Sequence, residues 1–256
     1  MKELEYTGEF IVPGRTAYDT VQEHLARYAF AGTYVNGNRV LDIACGTGYG
    51  SALLRSYGAA SIAGVDISLN GLEFAHAHYQ ALGINFAQAD ALMTPFPAAS
   101  FDIVVSFETI EHLEQPHAFL REIHRLLRPG GVLICSSPNK RVYSLGLVRP
   151  INPYHVREFT VREFSQLLSM VFHRQPQIFA QHTMNFKQRL VYELDSRLPF
   201  VTRMLRRLRA RNLHAEIPSW AAVGSGAEVE QSYRVGPLQS RFWRQATFIV
   251  AVCIRE

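Results

Sequence analysis

Cysteine is scarce in this 256-residue chain, with three residues, Cys45, Cys135 and Cys253, at wide spacing. An odd, scattered set makes neither a disulfide framework nor a zinc site, and each lies in an apolar stretch where packing is the simplest role. No run of roughly 18 or more apolar residues occurs, which argues against a transmembrane helix. The first ten residues, MKELEYTGEF, carry acids where a secretory leader has a basic start and an apolar run, so a cytoplasmic protein is expected. Charged residues are also few, at 19%, beside 48% hydrophobic residues. That balance excludes a disordered chain and supplies a full core, and 256 residues suit one large α/β domain.

What is present is an alternation. Short apolar runs rich in β-branched residues, at 39–44, 61–67, 84–89, 101–107, 132–136 and 177–181, are separated by helical patterns at 50–56, 69–82, 116–127 and 161–172. Such alternation reads as βαβ units on a parallel sheet. A last strand at 247–254 closes the chain. A helical stretch at 17–31 precedes the first strand, with Val21, Leu25, Tyr28 and Ala29 on its apolar side. One domain over 1–256 is expected, with a helical cap at 1–38 and an insertion at 183–245 that is far longer than an ordinary connection.

The first strand runs into a glycine-rich turn, VLDIACGTGYGS, with Gly46, Gly48 and Gly50. The pattern is neither a dinucleotide fingerprint, since Ser51 stands where the third glycine belongs, nor a Walker A loop, since no Gly-Lys-Ser/Thr follows. Alone it suits a structural bend as well as a ligand site. About twenty residues on, GVDIS places Asp66 at the end of the second strand, where an acid can accept hydrogen bonds from ribose hydroxyls. AQADAL then places Asp90 at the end of the third, suited to an exocyclic amine. Three strand ends in register are hard to read as helix caps alone.

These residues, with FPAASFDIVVSFETIEHL and LLRPGGVLICSSPN, resemble the class I S-adenosylmethionine-dependent methyltransferases over about residues 40–135. The resemblance implies a Rossmann-like seven-stranded sheet of order 3-2-1-4-5-7-6, the last strand antiparallel, with S-adenosylmethionine as cofactor. It implies Asp42 and Gly46 at the methionyl part, Asp66 at the ribose, Ile67 on the adenine face, and Asp90 with Ala91 at the adenine edge. Ala44 and Gly48 complete the turn, and Phe107 and Glu108 lie near the sulfonium.

Methyl transfer is an in-line displacement, so positioning supplies much of the catalysis, and an alcohol acceptor profits from a nearby base. In FETIEHLEQP, Glu108, Glu111 and His112 would share one face if a helical turn begins there. His112 is then a candidate base. The E-x-x-E-H spacing is also similar to that of ubiquinone-pathway O-methyltransferases, which implies a divalent ion such as Mg²⁺ as an alternative to simple helix packing. His155, after Pro150 and Pro153 and before a capping pair Thr160 and Glu163, is a second candidate base, or else it holds its loop to Glu158.

TGEFIVPG, EHLARYAF and NPYHVREFTVREFSQLL are similar to bacterial methyltransferases of sugars and surface polysaccharides, which implies a sugar or glycan hydroxyl as acceptor. A phenolic quinone precursor or another small metabolite is the alternative, and a non-catalytic scaffold is a third. No aromatic-interleaved basic stripe speaks for nucleic acid. The net charge of +4 is local: residues 187–211 hold Lys187, Arg189, Arg197, Arg203, Arg206, Arg207, Arg209 and Arg211 against Glu193 and Asp195. This basic amphipathic segment could face a nucleotide-sugar diphosphate or the inner face of an anionic membrane, and a homodimer contact stays open.

Overall fold

In the computed structural model, residues 11–12, 16–144, 146–181, 233–238 and 246–256 are described. The basic segment at 187–211 and most of the 183–245 insertion lie outside them. Element order is α1 (Tyr18–Val35), β1 (Arg39–Ile43), α2 (Tyr49–Ser56), β2 (Ser61–Asp66), α3 (Leu69–Tyr79), β3 (Asn85–Gln88), β4 (Phe101–Ser106), α4 (Pro116–Leu126), β5 (Leu127–Pro138), α5 (Lys140–Tyr143), α6 (Val161–Phe172), β6 (Gln177–Gln181), β7 (Val235–Pro237) and β8 (Phe248–Ile254).

The strands form one sheet of order β3-β2-β1-β4-β5-β8-β6-β7. The first five run parallel, and β8 enters antiparallel between β5 and β6. The expected order therefore holds for seven strands. The correction is an eighth, β7, which adds to the edge beside β6 through Phe179, Ala180 and Gln181. Three residues containing a glycine and a proline carry too little periodicity to announce a strand.

Both faces are covered, and strict alternation along each strand divides the core in two. Val40, Ile62, Ile103, Val105, Ile134 and Val250 face α1, α2 and α3. Leu41, Ile43, Val104, Leu133, Ile249 and Ala251 face α4 and α6. Asp42 shares the parity of Val40, so it must point into the first of these cores.

Helix ends follow local chemistry. Ser68 caps α3 by accepting from the Gly71 N–H, α4 starts on Pro116, and Thr160 and Glu163 close a reciprocal capping box at α6. The segment 69–82, expected as one helix, breaks after Tyr79 into a 3-10 turn. Helix α4 ends at Leu126, and Arg128, Pro129, Gly130 and Gly131 fall within the long strand β5. The strand order reverses beside β1, whose neighbours are β2 and β4. A ligand crevice in an open parallel sheet opens at the carboxyl ends of the strands at such a point.

Gly48, at the start of α2, has φ +77°, and a Cβ there would lie 2.6 Å from the Ala75 Cβ and 2.8 Å from the Phe86 ring. Left-handed strain and overpacking add, so Gly48→Ala is expected to lower stability by about 2–4 kcal/mol. Urea unfolding against the parent chain measures it.

Candidate functional site

A cleft of about 890 Å³ opens at that switch point. Its wall is built from four strand ends: Ala44 to Thr47 after β1, Asp66 to Ser68 after β2, Ala89 to Ala91 after β3, and Phe107 to Thr109 after β4. Helix α1 closes one side with Glu23, His24 and Tyr28, and the segment after α5 adds Ile151, Asn152 and His155.

The turn after β1 is tight, with Ala44 at φ +61° and Gly46 at φ +54°. Its shape is locked by Asp66, whose Oδ2 accepts from the Gly46 N–H at 2.7 Å and whose Oδ1 accepts from the Ser68 N–H at 2.8 Å. Burial raises the Asp66 carboxyl, and these backbone N–H groups pull the other way by favouring the anion. Each oxygen keeps a lone pair, so the group can still accept from a diol. Beside it Ile67 is 71% exposed on the cleft wall, an apolar plate suited to a flat ring. Asp90 is exposed and binds only the Leu92 N–H through Oδ1, and Ala91 follows it. Ala44, Gly46, Asp66, Ile67, Asp90, Ala91 and Phe107 thus share one wall.

Two members of the expected set do not. Gly48 packs against Ala75 and Phe86 behind the turn. Asp42 is fully buried and lies off the cleft wall. Its Oδ2 accepts from the Ser51 hydroxyl at 2.7 Å and its Oδ1 from the Tyr28 hydroxyl at 3.1 Å. Burial pushes its carboxyl up to about 7, against those two hydrogen bonds. Asp42 is a positioning residue that ties β1 to α1 and α2.

The segment after β4 also differs from expectation. The only helical turn is a 3-10 turn over Ile110–His112, and Glu108 stands before it at φ +53°, a left-handed conformation unusual for a side-chain-bearing residue. Its N–H donates to the Ser136 Oγ at 3.2 Å, and the Ser136 hydroxyl donates back to Glu108 Oε1 at 2.7 Å. Burial raises the Glu108 carboxyl while Arg27 draws it down. Glu108 and His112 reach the cleft, whereas Glu111 is fully buried off its wall, with neither carboxylate oxygen hydrogen-bonded among the described residues. Burial and the nearby Glu108 hold Glu111 well above the usual carboxylate range.

The two candidate histidines lie with rings 4.9 Å apart and differ in chemistry. His112 Nδ1 donates to the Tyr154 carbonyl at 3.0 Å, which makes Nε2 its basic nitrogen. His155 is buried with both nitrogens engaged, Nδ1 on Glu158 Oε1 at 2.9 Å and Nε2 on the Asn152 amide at 2.9 Å. Glu158 also accepts from the Ser144 hydroxyl at 2.8 Å. His155 thus clamps its loop, with both ring nitrogens bonded where His112 keeps Nε2 toward the cleft.

Glu111, His112 and His155 each offer a donor atom within 4.8 Å of the others. One carboxylate and two imidazoles form a nitrogen-rich set, whereas Mg²⁺ favours oxygen ligands. The set leaves out Glu108, so the Glu108, Glu111 and His112 grouping does not assemble as expected.

Several residues at the site carried no sequence signal. Arg27 is fully buried under the cleft, donates through Nη1 to Gln181 Oε1 at 2.6 Å, and stacks 4.5 Å from the Phe248 ring centre. Its Nε and Nη2 have no hydrogen-bond partner among the described residues. His24 lines the cleft, its Nδ1 2.8 Å from the Tyr49 hydroxyl, and burial together with Arg27 keeps its imidazole neutral. Tyr28 falls on the apolar stripe of α1 with Val21 and Leu25, whereas Arg27 lies off it, so periodicity does not announce the buried arginine.

Residues 41–135 match the family described as "Methyltransferase domain". Over this stretch the chain is therefore similar to a methyltransferase domain. A protein of Mycolicibacterium smegmatis named "Probable S-adenosylmethionine-dependent methyltransferase/" is 36% identical over 64% of this chain and 63% of its own length. One of that name from Mycobacterium tuberculosis is 34% identical over 64% of this chain and 60% of its own. The chain therefore matches less than two thirds of either relative. A fatty-acid O-methyltransferase of M. smegmatis is 35% identical over 42% of this chain and 39% of its own. Among solved structures, an S-adenosylmethionine-dependent methyltransferase from Thermotoga maritima aligns over 92% of both chains with TM-score 0.61 at 16% identity. A geranyl diphosphate methyltransferase in complex with sinefungin aligns over 91% of this chain and 77% of its own with TM-score 0.57 at 18% identity. At these identities the structures show a shared fold. The family's cofactor is S-adenosylmethionine.

The raised Asp42 carboxyl has a signed consequence. Near pH 4 the unfolded chain begins to release this proton while the folded chain keeps it until about pH 7, so stability falls across that window and then levels off. The contribution is roughly 4 kcal/mol at 1.36 kcal/mol per pKa unit. Asp42→Asn is expected to flatten the fall, measured as the difference in urea midpoints between variant and parent from about pH 4.5 to about pH 7.5.

Proposed function

We propose that this protein transfers a methyl group from S-adenosylmethionine to an oxygen atom of a small-molecule acceptor. The observation that carries the reading is the shared wall, where three successive strand ends bring Gly46, Asp66, Ile67 and Asp90 to one cleft beside Glu108 and His112. Asp66 accepts from the ribose hydroxyls, Ile67 covers the adenine, and Asp90 with Ala91 meets its edge. The backbone from Ala44 to Thr47, at the start of α2, faces the methionyl carboxylate, which suits a helix N-terminus without a phosphate-gripping lysine. The cofactor supplies an electrophilic methyl group on its sulfonium, beside Phe107.

Strand order divides the cleft. Asp66 and Asp90 stand over β2 and β3, so the acceptor occupies the other half, over β4, β5 and β8. There Glu108, His112, Asn152, Tyr143 and Phe248 meet Glu23 and His24 of α1. His112 takes the acceptor proton on Nε2 while the Tyr154 carbonyl fixes its ring, and Glu108 adds negative charge near the sulfonium. This concentration of hydrogen-bonding groups supports a hydroxyl-bearing acceptor of sugar or glycan type. A lipid-like acceptor is the second reading, favoured by the likeness to a fatty-acid O-methyltransferase and by Phe248 and Ile151 in the same half.

Titration calorimetry with S-adenosylhomocysteine should show binding that Asp66→Ala weakens at least about tenfold, as loss of charge-assisted hydrogen bonds requires. No binding by the parent protein would remove the proposal. With the cofactor bound and a competent acceptor found in a labelled-methyl screen of nucleotide sugars, glycolipids, fatty acids and catechols, His112→Ala should slow single turnover by about 10²–10⁴-fold. A rate unchanged in that variant would leave positioning as the whole of the catalysis.

A further inference from the structure

The segment after α5 does more than close the cleft. Leu147, Val148, Ile151 and Val156 are all exposed, Val148 at 92% and the others at 51% or more. Met170 of α6 joins them at 65%, across a groove of about 410 Å³ that Lys140 and Arg157 border. Isolated exposed aliphatics are ordinary, but Leu147, Val148, Val156 and Met170 line one groove, with Ile151 between it and the cleft, and such a cluster marks a contact surface.

Neither sagging nor slack explains the exposure, because the loop is pinned from beneath. The Gly146 N–H donates to the Lys140 carbonyl, and the Ile151 N–H to the Ser144 Oγ. Both the Val156 and Arg157 N–H groups donate to the Glu111 carbonyl. With the Ser144, Glu158, His155 and Asn152 clamp below, the backbone holds its apolar side chains outward.

Charge selects among partners for such a face. From 139 to 163 the basic residues are Lys140, Arg141, Arg149, Arg157 and Arg162 and the acids are Glu158 and Glu163, the latter lining the groove and accepting from the Thr160 N–H, so an excess of cationic groups remains at the surface. Glu158 is buried and spent on His155 and Ser144, so it cannot offset them at the surface. Aliphatic side chains that shallowly enter an apolar layer, among arginines that meet phosphate-bearing headgroups, are the composition of an interfacial contact. The patch has no large exposed aromatic anchor beyond Tyr154, which a tight protein interface would favour.

We propose that the 147–157 loop and the adjoining edge of α6 dock onto an anionic phospholipid bilayer. Ile151 and Pro153 also belong to the cleft wall, so docking sets the mouth of the cleft against the membrane surface. A membrane-resident amphipathic acceptor would then reach the cleft without crossing water. The docking rests on this surface alone, and only its link to the acceptor rests on the methyl-transfer reading.

The test is flotation of the full chain with vesicles of phosphatidylcholine alone and of phosphatidylcholine mixed with phosphatidylglycerol. The parent protein should float with the anionic vesicles, more weakly as salt is raised, and poorly with the neutral ones. Leu147→Ser with Val148→Asp, and separately Arg149→Gln with Arg157→Gln, should each cut bound protein by about tenfold or more, since each surface arginine contributes about fivefold. Cofactor-product affinity, measured by calorimetry on the same preparations, should be unchanged in both, which separates this result from failure of the methyl-transfer reading. The proposal is overturned if the parent protein does not float, or if the variants float equally well, as they would were the contact made by 187–211. It is equally overturned if the first variant converts a dimer to a monomer on gel filtration, which would make the patch a face between two copies.

Discussion

Everything at the cleft is referred to one buried carboxyl. Asp42 lies on the strand between the two halves of the sheet, on the face that α1 and α2 cover, and it accepts from a hydroxyl of each helix. Tyr28 then presses edge-on against Phe107, with ring centres 5.0 Å apart, so the same contact runs on to the end of β4. A carboxyl in an apolar core is costly unless it is hydrogen-bonded or neutral, and this one is the first and in part the second. What the cost secures is register. If α1 slid along the sheet, Tyr28 would leave a buried oxygen unpaired, so the helix that roofs the cleft is fixed against the turn that floors it.

The remaining charges follow a similar economy. Arg27, one residue from Tyr28, is buried among Gln181, Phe248 and the cleft's acids, and its field favours the anion at Glu108. Glu111 lies deeper and close to Glu108, and two nearby buried carboxyls do not both ionise easily. Glu111, buried off the cleft wall, and Glu108, held by Ser136 at the cavity, therefore meet different surroundings. Identical side chains three positions apart acquire separate roles from burial and one guanidinium.

Most of the sheet was legible in the sequence because strand signals are local. Alternating apolar runs gave six parallel-type strands and the closing strand within a residue or two, except at β5. The gathering of Gly46, Asp66, Ile67 and Asp90 on one cleft wall was legible for the same reason, since each stands at or just after the end of a strand. What escaped depends on contacts between distant segments. Asp42 belongs to the glycine motif by sequence but to the core by strand parity, and only the positions of Tyr28 and Ser51 decide which prevails. His155 and His112 look equivalent in the chain, yet Glu158 and Asn152 engage one while a carbonyl orients the other. The helical face predicted for Glu108, Glu111 and His112 failed because Glu108 adopts a positive φ, which no spacing rule announces.

These two kinds of legibility map onto the two halves of the cleft. The half over β2 and β3 is made by strand ends and their backbone turns, so its chemistry is fixed by short stretches of sequence and by the sheet order. The half over β4, β5 and β8 is assembled from α1, the loop after α5 and the last strand, with side chains held by bonds such as Arg27 to Gln181 that span 154 residues. Substitutions there can change shape and charge without disturbing the turn that Asp66 locks. A fold organised in this way fixes one half of the cleft by short motifs and leaves the other to distant contacts, which is why the first half can be read from the sequence while the second requires the folded chain.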